Sequence, residues 1–317
     1  MRLTAKNLNG YRIALPSPVS LCYNSAYDIP ADALDVMFTA TSLQNTGELV
    51  TLTMELENKI IFDGPVDEQE LVKNENGVFL KLRARSKASV LLDNEAIPQT
   101  LYRPNLTDIY NTVCRQYGFL GLLYDKNPKL SSFTVAKGQS EWQALESFCR
   151  QTLELRPFVQ NDYIVAKKRQ AAQKLLISNN ASGGLKYMSM TVRNKRYGVI
   201  SKVILKSSTT KLYDTAVYNP LFNELRIKRK RYIAPPKDWV GNPRRGADRL
   251  MRDSMTKKVQ IFLALPGLVV VYPGDLVHLD DAAAASLGRE FTVFDVCYTA
   301  NANTAVTKIT LVLPEYL

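Results

Sequence analysis

A nucleophilic cysteine is the first chemistry to consider, because Cys149 could in principle pair with His278, the only histidine of the chain. Such a cysteine needs a neighbouring cation or a helix N-terminus to stabilise its thiolate. Cys149 falls instead on the apolar side of a predicted helix, and His278 alternates within the predicted strand Leu276–Leu279. Packing accounts for both residues. With four scattered cysteines and one histidine, we expect no zinc site and no other cofactor.

Paired carboxylates are a second possibility, and the candidate pairs are Glu141 with Glu146 and Asp280 with Asp281. Glycoside hydrolysis requires two carboxylates about 5–10 Å apart across a cleft, a distance that a sequence does not fix. Asp280 and Asp281 precede an alanine-rich loop, where we expect both in solvent. The chain has no phosphate-binding loop of the GxxxxGK[ST] form. We therefore predict a protein that is not an enzyme, with a hydrolase as a remaining alternative.

The most uneven feature of the chain is its positive charge. The net charge is +11, and residues 186–258 hold 19 Lys and Arg against 5 Asp and Glu, whereas the rest holds 22 against 25. The densest part is the heptapeptide RIKRKRY. Clustered cations indicate an anionic partner. The candidate site residues are therefore the five cations of this heptapeptide: Arg226, Lys228, Arg229, Lys230 and Arg231.

Two kinds of partner fit this basic stretch. Phosphates of a nucleic acid could be neutralised by its charges, while Tyr232 and Trp239 stacked on bases. No recognised nucleic-acid-binding module surrounds it. The second partner is an acidic protein face, and we favour it because the charges alternate with Ile227 and end on Tyr232, as in a strand with one packed side. A solvated face without a partner is a further interpretation. Sequence-independent nucleic-acid binding by residues 186–258 remains the main alternative.

The elements that must position these residues fall into three segments, predicted as domains 1–95, 96–170 and 171–317. The first is β-rich, since Glu48–Glu57 and Val78–Arg85 alternate apolar and polar side chains. Between them Ile60–Phe62 begins a partner strand, which Asp63-Gly64-Pro65 is expected to break. Several strands of even length with tight turns favour a barrel or a sandwich.

The middle segment, 96–170, changes to helical periodicity. Asn105 or Thr107 can cap a first helix, which Gly118 closes. Ser140 and Gln143 form a capping box for a second helix, whose face carries Trp142, Leu145, Phe148, Cys149 and Leu153. A hairpin of Phe158-Val159 and Tyr163–Val165 follows. We therefore predict a small α+β module inserted between two β regions.

The third segment, 171–317, returns to β structure with one helix at about 242–258, opened by Asn242-Pro243. Its predicted strands are Tyr197–Lys206, Leu225–Tyr232, two short strands within Gly267–Leu279 around Pro273-Gly274-Asp275, and a closing hairpin of Phe291–Tyr298 with Thr304–Leu313. The whole chain is thus predicted to be mainly β with an α+β insert.

The order and spacing of several short motifs resemble one known family over most of the chain. The motifs are Ile61–Gly64, Ala84–Ser86, Leu92–Ala96, the helix and hairpin that begin at Glu141, Tyr272–Val277 and Leu311–Glu315. Together they resemble the baseplate hub proteins of contractile phage tails and phage-tail-like particles. The charged stretch Leu225–Tyr232 matches no part of that pattern.

The resemblance implies two antiparallel β-barrel domains similar to tail-tube subunits, with small α+β additions, and it carries over no catalytic residue. It also implies a homotrimeric ring that joins the tail tube protein to the central spike protein, contacts other baseplate proteins and can touch the tape measure. We expect the protein in a tail or tail-like particle assembled in the bacterial cytoplasm. No membrane insertion is expected, and nucleic acid would only pass through as cargo. A tail-associated cell-wall hydrolase is the third alternative.

Overall fold

The computed structural model describes residues 1–40, 47–207, 209–234 and 243–317. Strands dominate this part of the chain, which confirms the prediction of a mainly β fold with an α+β insert. The strands are β1 Arg2–Asn7, β2 Arg12–Ala14, β3 Ser20–Ala26, β4 Ala33–Thr39, β5 Leu49–Leu56, β6 Lys59–Asn74, β7 Gly77–Arg85, β8 Gln99–Tyr102, β9 Gly121–Tyr124, β10 Ser132–Val135, β11 Phe158–Gln160, β12 Tyr163–Ala166, β13 Lys174–Ile177, β14 Ser189–Asn194, β15 Lys202–Lys206, β16 Tyr213–Tyr218, β17 Lys230–Ile233, β18 Val259–Pro266, β19 Leu276–Leu279, β20 Glu290–Asn301 and β21 Ala305–Val312.

Helices are fewer and short. They are α1 Ser89–Asp93, α2 Leu106–Val113, α3 Glu141–Thr152, α4 Phe222–Leu225 and α5 Pro243–Thr256, with 3₁₀ turns at Arg115–Tyr117, Ala285–Leu287 and Pro314–Tyr316. Within the described ranges, none of these helices combines the length and the apolar character that crossing a bilayer requires.

The chain divides into two compact units. The first comprises Met1–Val90, Arg169–Thr191 and Phe262–Leu311, and the second comprises Leu91–Lys168, Val192–Ile261 and Val312–Leu317. The predicted boundaries after residues 95 and 170 lie close to the first two passages between these units. The predicted third segment, 171–317, contributes to both units, and the three-domain division stays a prediction.

The first unit is built on a 13-stranded sheet with the order β14-β18-β21-β20-β3-β4-β7-β6-β5-β1-β2, to which β19 and β13 attach beside β20. Strands β3 and β20 pair antiparallel from Ser20 opposite Asn301 to Ala26 opposite Asp295. This pairing joins the two β regions that the sequence analysis treats as separate. Along β5 the predicted alternation holds, since Leu52, Met54 and Leu56 are buried.

The prediction that Asp63-Gly64-Pro65 breaks the strand beginning at Ile60–Phe62 is wrong, because β6 continues through these residues. The strand pairs with β5 as far as Pro65 and with β7 from Val66 onwards. At Gly64 a Cβ atom would lie only 2.1 Å from the carbonyl oxygen of Arg85. The glycine therefore allows a close backbone approach at the point where the strand changes partner. Glycine is also common in turns, so the sequence alone does not distinguish the two roles.

The segment around Asp275 differs from the prediction of two strands. Only β19 follows the turn, and the structure describes no strand between β18 and that turn. Asp275 is buried and accepts hydrogen bonds from the backbone N–H groups of Ala172, Gln173 and Tyr272, and from the Gln173 amide. A buried carboxylate needs this many donors to offset its desolvation. The Tyr272–Val277 motif thus has a structural role, because its Asp275 fixes the residues that lead into β13.

The second unit contains the predicted α+β module. Ser140 and Gln143 form the predicted capping box of α3, and Asn105 rather than Thr107 caps α2. Trp142, Leu145, Phe148 and Cys149 of α3 are buried, as its helical spacing predicts. The hairpin of β11 and β12 is present and is extended by β9, which pairs parallel to β12.

Candidate functional site

The predicted basic stretch forms only in part the strand that its alternation suggests. Phe222–Leu225 is a helical turn, Arg226 has a left-handed backbone with φ of 47°, and the strand begins at Lys230. The prediction of a strand over Leu225–Tyr232 is therefore wrong in its first half, because a chain that leaves a helix through the left-handed region cannot be extended there. The proposed stacking residue Trp239 and the cap residue Asn242 lie outside the described residues.

A buried serine fixes the basic stretch to the neighbouring strand. The Ser201 hydroxyl donates to the Arg229 carbonyl oxygen at 2.7 Å and accepts from the Arg229 N–H at 2.9 Å, while the Ser201 N–H donates to the same carbonyl at 2.9 Å. Ile227 packs beside buried Val199 and Met255. The predicted single packed side thus exists at Ile227, although the backbone there is not a strand.

Strand β17 belongs to a three-stranded sheet with the order β16-β15-β17, in which β16 is antiparallel and β17 parallel to β15. One face of this sheet packs on α5. The contact is an apolar cluster of these buried residues: Ile200, Val203, Leu205, Ala247 and Met251. Three partly buried side chains pack against it: Val217, Ile233 and Leu250. The spacing of Ala247, Leu250 and Met251 is that of one helical face, as predicted.

Ion pairs hold α5 to the α+β module. Asp253 lies 3.3 Å from Arg150 and 3.3 Å from Arg156, and Arg150 also pairs with Glu146 at 2.8 Å. At the start of α5, Arg245 pairs with Glu154 at 3.0 Å. These contacts place the helix, and the helix in turn supports the sheet that carries β17.

The opposite face of the sheet carries lysines and tyrosines, with Ile204 between Lys202 and Lys206 on β15. Side chains alternate between faces along a strand, and the register places Lys202 opposite Tyr218, Lys206 opposite Tyr213, and Lys230 next to Lys202. We call this surface the Lys/Tyr face and define it by six residues: Lys202, Lys206, Tyr213, Tyr218, Lys230 and Tyr232. Arg231 alternates with Lys230 and Tyr232, and it therefore lies on the side of the sheet that carries Val203.

The rings and ammonium groups of the Lys/Tyr face contact one another. The Nζ atoms of Lys202, Lys206 and Lys230 lie 5.9, 5.8 and 5.5 Å from ring centroids of Tyr218, Tyr213 and Tyr232. Tyr213 and Tyr232 meet edge to face across β15, with centroids 5.3 Å apart. Such cation–π contacts are worth about 0.5–1 kcal/mol at exposed sites.

A neighbouring contact extends the pattern to the predicted residue Arg229. Its guanidinium lies 4.7 Å from the ring centroid of Tyr197, which Lys195 also approaches at 5.9 Å. Among the described residues, none of Arg226, Lys228 and Arg229 forms an ion pair with a carboxylate. The same holds for Lys230 and Arg231. Arg229 and Lys230 thus have aromatic rather than acidic neighbours.

Sequence reasoning missed Lys202, Lys206, Tyr213 and Tyr218. The signal available was the alternation in Tyr197–Lys206, which predicts a strand with lysines on one side. The register of β16 and β17 on β15 brings together residues from 202 to 232, and no local pattern specifies that register. The predicted stretch contributes Lys230 and Tyr232 to the Lys/Tyr face and Arg229 to its border.

The residues considered for catalysis are occupied in packing or pairing. Burial raises the pKa of the Cys149 thiol to about 12. His278 lies in the other unit and its Nδ1 is 2.7 Å from a Glu290 carboxylate oxygen. A thiol with so high a pKa is a poor nucleophile at neutral pH.

Each carboxylate of the two candidate pairs also has a partner. Glu141 is buried and accepts from Gln116, and Glu146 pairs with Arg150. Asp280 accepts from Ser178, and Asp281 accepts from the Tyr187 hydroxyl. These hydrogen bonds and ion pairs give the four carboxylates local structural roles.

Comparison with known proteins identifies the fold. No protein-family model matches the chain, and no curated protein matches it. Among solved structures, a tail protein from Neisseria meningitidis MC58 superposes with a TM-score of 0.76 and 18% identity over 98% of this chain and 96% of the other. The 43 kDa tail protein of prophage MuSo2 from Shewanella oneidensis gives a TM-score of 0.80 and 14% identity over 99% of both chains.

A third similar structure belongs to a secretion system. The E. coli c3393 protein, a component of the type VI secretion system with structural similarity to T4 bacteriophage tail proteins gp27 and gp5, has a TM-score of 0.62 and 8% identity over 99% of this chain and 77% of the other. At these identities the likeness concerns the fold. The chain has the fold of phage tail proteins, and the resemblance predicted from its motifs is confirmed at that level.

Proposed function

We propose that the protein is a structural hub of a phage tail or of a tail-derived injection particle. The observation that carries this proposal is the agreement of nearly the whole chain, 98–99% of its residues, with tail proteins of nearly the same extent. A fold shared only by one common domain would say little about function, because single domains recur in unrelated roles. Agreement over two units and their interleaved segments is a far more restrictive match.

The proposed mechanism is geometric and needs no catalysis. Three copies form a closed ring, since homo-oligomers close by rotational symmetry. The ring presents one face to the tail tube protein and the other to the central spike protein, and its strands line the channel between them. Other baseplate proteins pack around it, the tape measure contacts it from inside the tube, and nucleic acid only passes through. The ring is thereby an adaptor between a sixfold tube and a threefold spike, assembled in the bacterial cytoplasm.

The proposed ring needs contact residues, and the exposed large side chains of the chain are candidates for them. Leu8, Tyr11, Ile97, Tyr102 and Leu120 each expose more than half of their surface. Burying apolar surface stabilises an interface by about 25 cal/mol per Å² of area removed from water. Side chains of this kind are therefore reasonable contact residues of the ring and its neighbours.

Light scattering tests the ring. At micromolar concentration, with the spike protein present, we expect a particle of three times the 35.6 kDa mass of one chain, together with bound spike. A single-chain mass both with and without the spike protein would contradict the proposal.

Nucleic-acid binding is the second candidate function, and the Lys/Tyr face is the observation that favours it. Binding to phosphates would weaken steeply with salt, with a log–log slope near −0.9 for each phosphate contacted on duplex DNA. A titration between about 50 and 200 mM salt distinguishes this candidate, because a hub would show little affinity for free DNA at either concentration.

A further inference from the structure

We infer that the Lys/Tyr face docks an acidic segment of a different protein in the particle. The inference rests on the proposed function for the nature of that neighbour, a tail component, and it adds the surface and the chemistry of the contact. The face combines three ammonium groups and three rings on one side of a small sheet whose other side is fixed on α5.

The positive charge of the face is not neutralised by the described part of the chain. No carboxylate there forms an ion pair with Lys202, Lys206 or Lys230. The one carboxylate in strands β15, β16 and β17 is Asp214, and its oxygens accept hydrogen bonds from the Thr210 and Thr215 hydroxyls. Lys202 and Lys230 are neighbours in the register of β15 and β17, so their like charges favour an external anion. Lys206 lies four residues further along β15 and extends the same positive surface.

The tyrosines supply the apolar part of an interface. Tyr213, Tyr218 and Tyr232 expose 45%, 52% and 53% of their surface, although each ring contacts another aromatic side chain. Rings held in place by neighbours lose little conformational freedom on binding, and tyrosine is enriched among the residues that dominate interface energies. A partner can therefore cover the rings while its carboxylates meet the lysines.

The geometry favours a protein over a nucleic acid. Successive bases stack on rings whose faces are open, whereas an ammonium group of this chain lies over the ring of each tyrosine on the Lys/Tyr face. Tyr213 and Tyr232 are also inclined at 82°, so they do not form a parallel platform. Carboxylates can approach the three ammonium groups from outside without displacing either the lysines or the rings.

A second copy of this chain is a poorer partner for the face. Outside residues 186–258 the acidic excess is small, 25 Asp and Glu against 22 Lys and Arg. On the longest exposed acidic strand, β6, Asp67, Glu68 and Glu70 already pair with cations of β7. The complementary acidic surface is therefore expected on another protein.

The test is incorporation into the particle in a producing strain whose own copy has been removed. The variant K202E/K206E/K230E reverses the face, and the control K126E/K129E/K137E reverses three exposed lysines elsewhere in the second unit. The reversed charges would face the carboxylates of the partner, so we expect about tenfold or greater loss of the first variant from purified particles. The control should be incorporated like the wild type.

Two further measurements keep the test independent of folding. The neutral variant K202Q/K206Q/K230Q removes attraction without introducing repulsion and should lose incorporation less severely. Carbodiimide treatment of wild-type particles couples lysine amines to adjacent carboxylates with loss of water, and mass spectrometry identifies the joined peptides. We expect Lys202, Lys206 or Lys230 to be coupled to Asp or Glu of another tail protein.

The outcomes separate the inference from the proposed function. If the wild type is absent from particles, the hub proposal fails. If the wild type is present and a folded face-reversal variant is incorporated equally well, only the docking inference fails. Coupling of the three lysines to a second copy of this chain would also overturn it. So would tight, salt-sensitive binding of an oligothymidine of about 20 nucleotides that the reversal abolishes while incorporation is intact.

Discussion

The β6–β7 ladder of the first unit and the Lys/Tyr face of the second unit are both strand surfaces with three basic side chains, and they differ in how those charges are met. In the ladder, Lys81 pairs with Glu70 at 3.3 Å, Arg83 with Glu68 at 2.5 Å and Arg85 with Asp67 at 2.8 Å. Asp35 of β4 lies 3.6 Å from Arg83 as well. On the Lys/Tyr face the corresponding neighbours are tyrosine rings.

A basic strand is therefore not in itself a binding site. In the ladder each cation has a carboxylate of the same chain, and exposed pairs of this kind contribute little to stability and attract no partner. A ring quadrupole attracts an ammonium group but leaves its charge in place. Only the second surface therefore keeps a net positive potential for something outside the chain.

The two sides of the sheet that carries the Lys/Tyr face should differ strongly in their contribution to the free energy of unfolding. Leu205 is buried against α5, so Leu205→Ala should cost about 2–5 kcal/mol of unfolding free energy. Tyr232→Ala on the opposite side should cost about 1 kcal/mol or less. Chemical denaturation of both variants checks this. Equal costs would mean that the tyrosines serve stability rather than binding.

Glu141 differs from the carboxylates of the β6–β7 ladder, because it is buried and has no cation beside it among the described residues. Its Oε1 accepts from Gln116 and Tyr117, while Oε2 has no hydrogen-bond partner there. Burial raises the pKa of Glu141 above its ordinary value. As pH rises from that ordinary value through the raised one, the unfolded state loses its proton first, so stability should fall.

Glu141→Gln should remove this fall, whereas Glu146→Gln, which changes a carboxylate already paired with Arg150, should keep the wild-type profile. Denaturation midpoints measured across this pH range check the prediction. A wild-type profile that is unchanged by Glu141→Gln would show that this carboxyl does not titrate differently in the folded state.

Charge reversals on the β6–β7 ladder and on the Lys/Tyr face should change the melting temperature only slightly, but in different directions. Arg83→Glu places a third acid beside Glu68 and Asp35 and should lower the melting temperature. Lys230→Glu instead places an acid next to Lys202 and should leave it unchanged or raise it. Both changes should shrink between about 20 and 500 mM salt, because exposed charges are screened. Shifts of the same sign would remove the distinction between the two surfaces.

The sequence predicted correctly those elements whose deciding residues lie within the element itself. The capping box of Ser140 and Gln143 and the apolar spacing of Trp142, Leu145 and Phe148 gave α3 and its buried face correctly. The alternation of Glu48–Glu57 gave β5. In each case the residues that decide the structure lie within one or two turns or one strand of each other, so the pattern is complete in the sequence.

The prediction failed where a distant backbone decides the conformation. Gly64 was expected to break a strand, and its actual constraint is the carbonyl oxygen of Arg85. The Lys/Tyr face depends on the pairing of β16 and β17 with β15, which the alternation of each strand leaves open. Charge density drew attention to the stretch from Arg226 to Arg231, although the surface it belongs to is centred on β15.

We propose that this chain is the hub of a tail, and its location in the native particle is the decisive test of that proposal. Negative-stain microscopy of particles in which this subunit carries a label would show where it lies. We expect label at the junction between the tail tube and the spike, with threefold symmetry in averaged end views. Label elsewhere on the particle, or particles that assemble complete without this chain, would contradict the hub proposal.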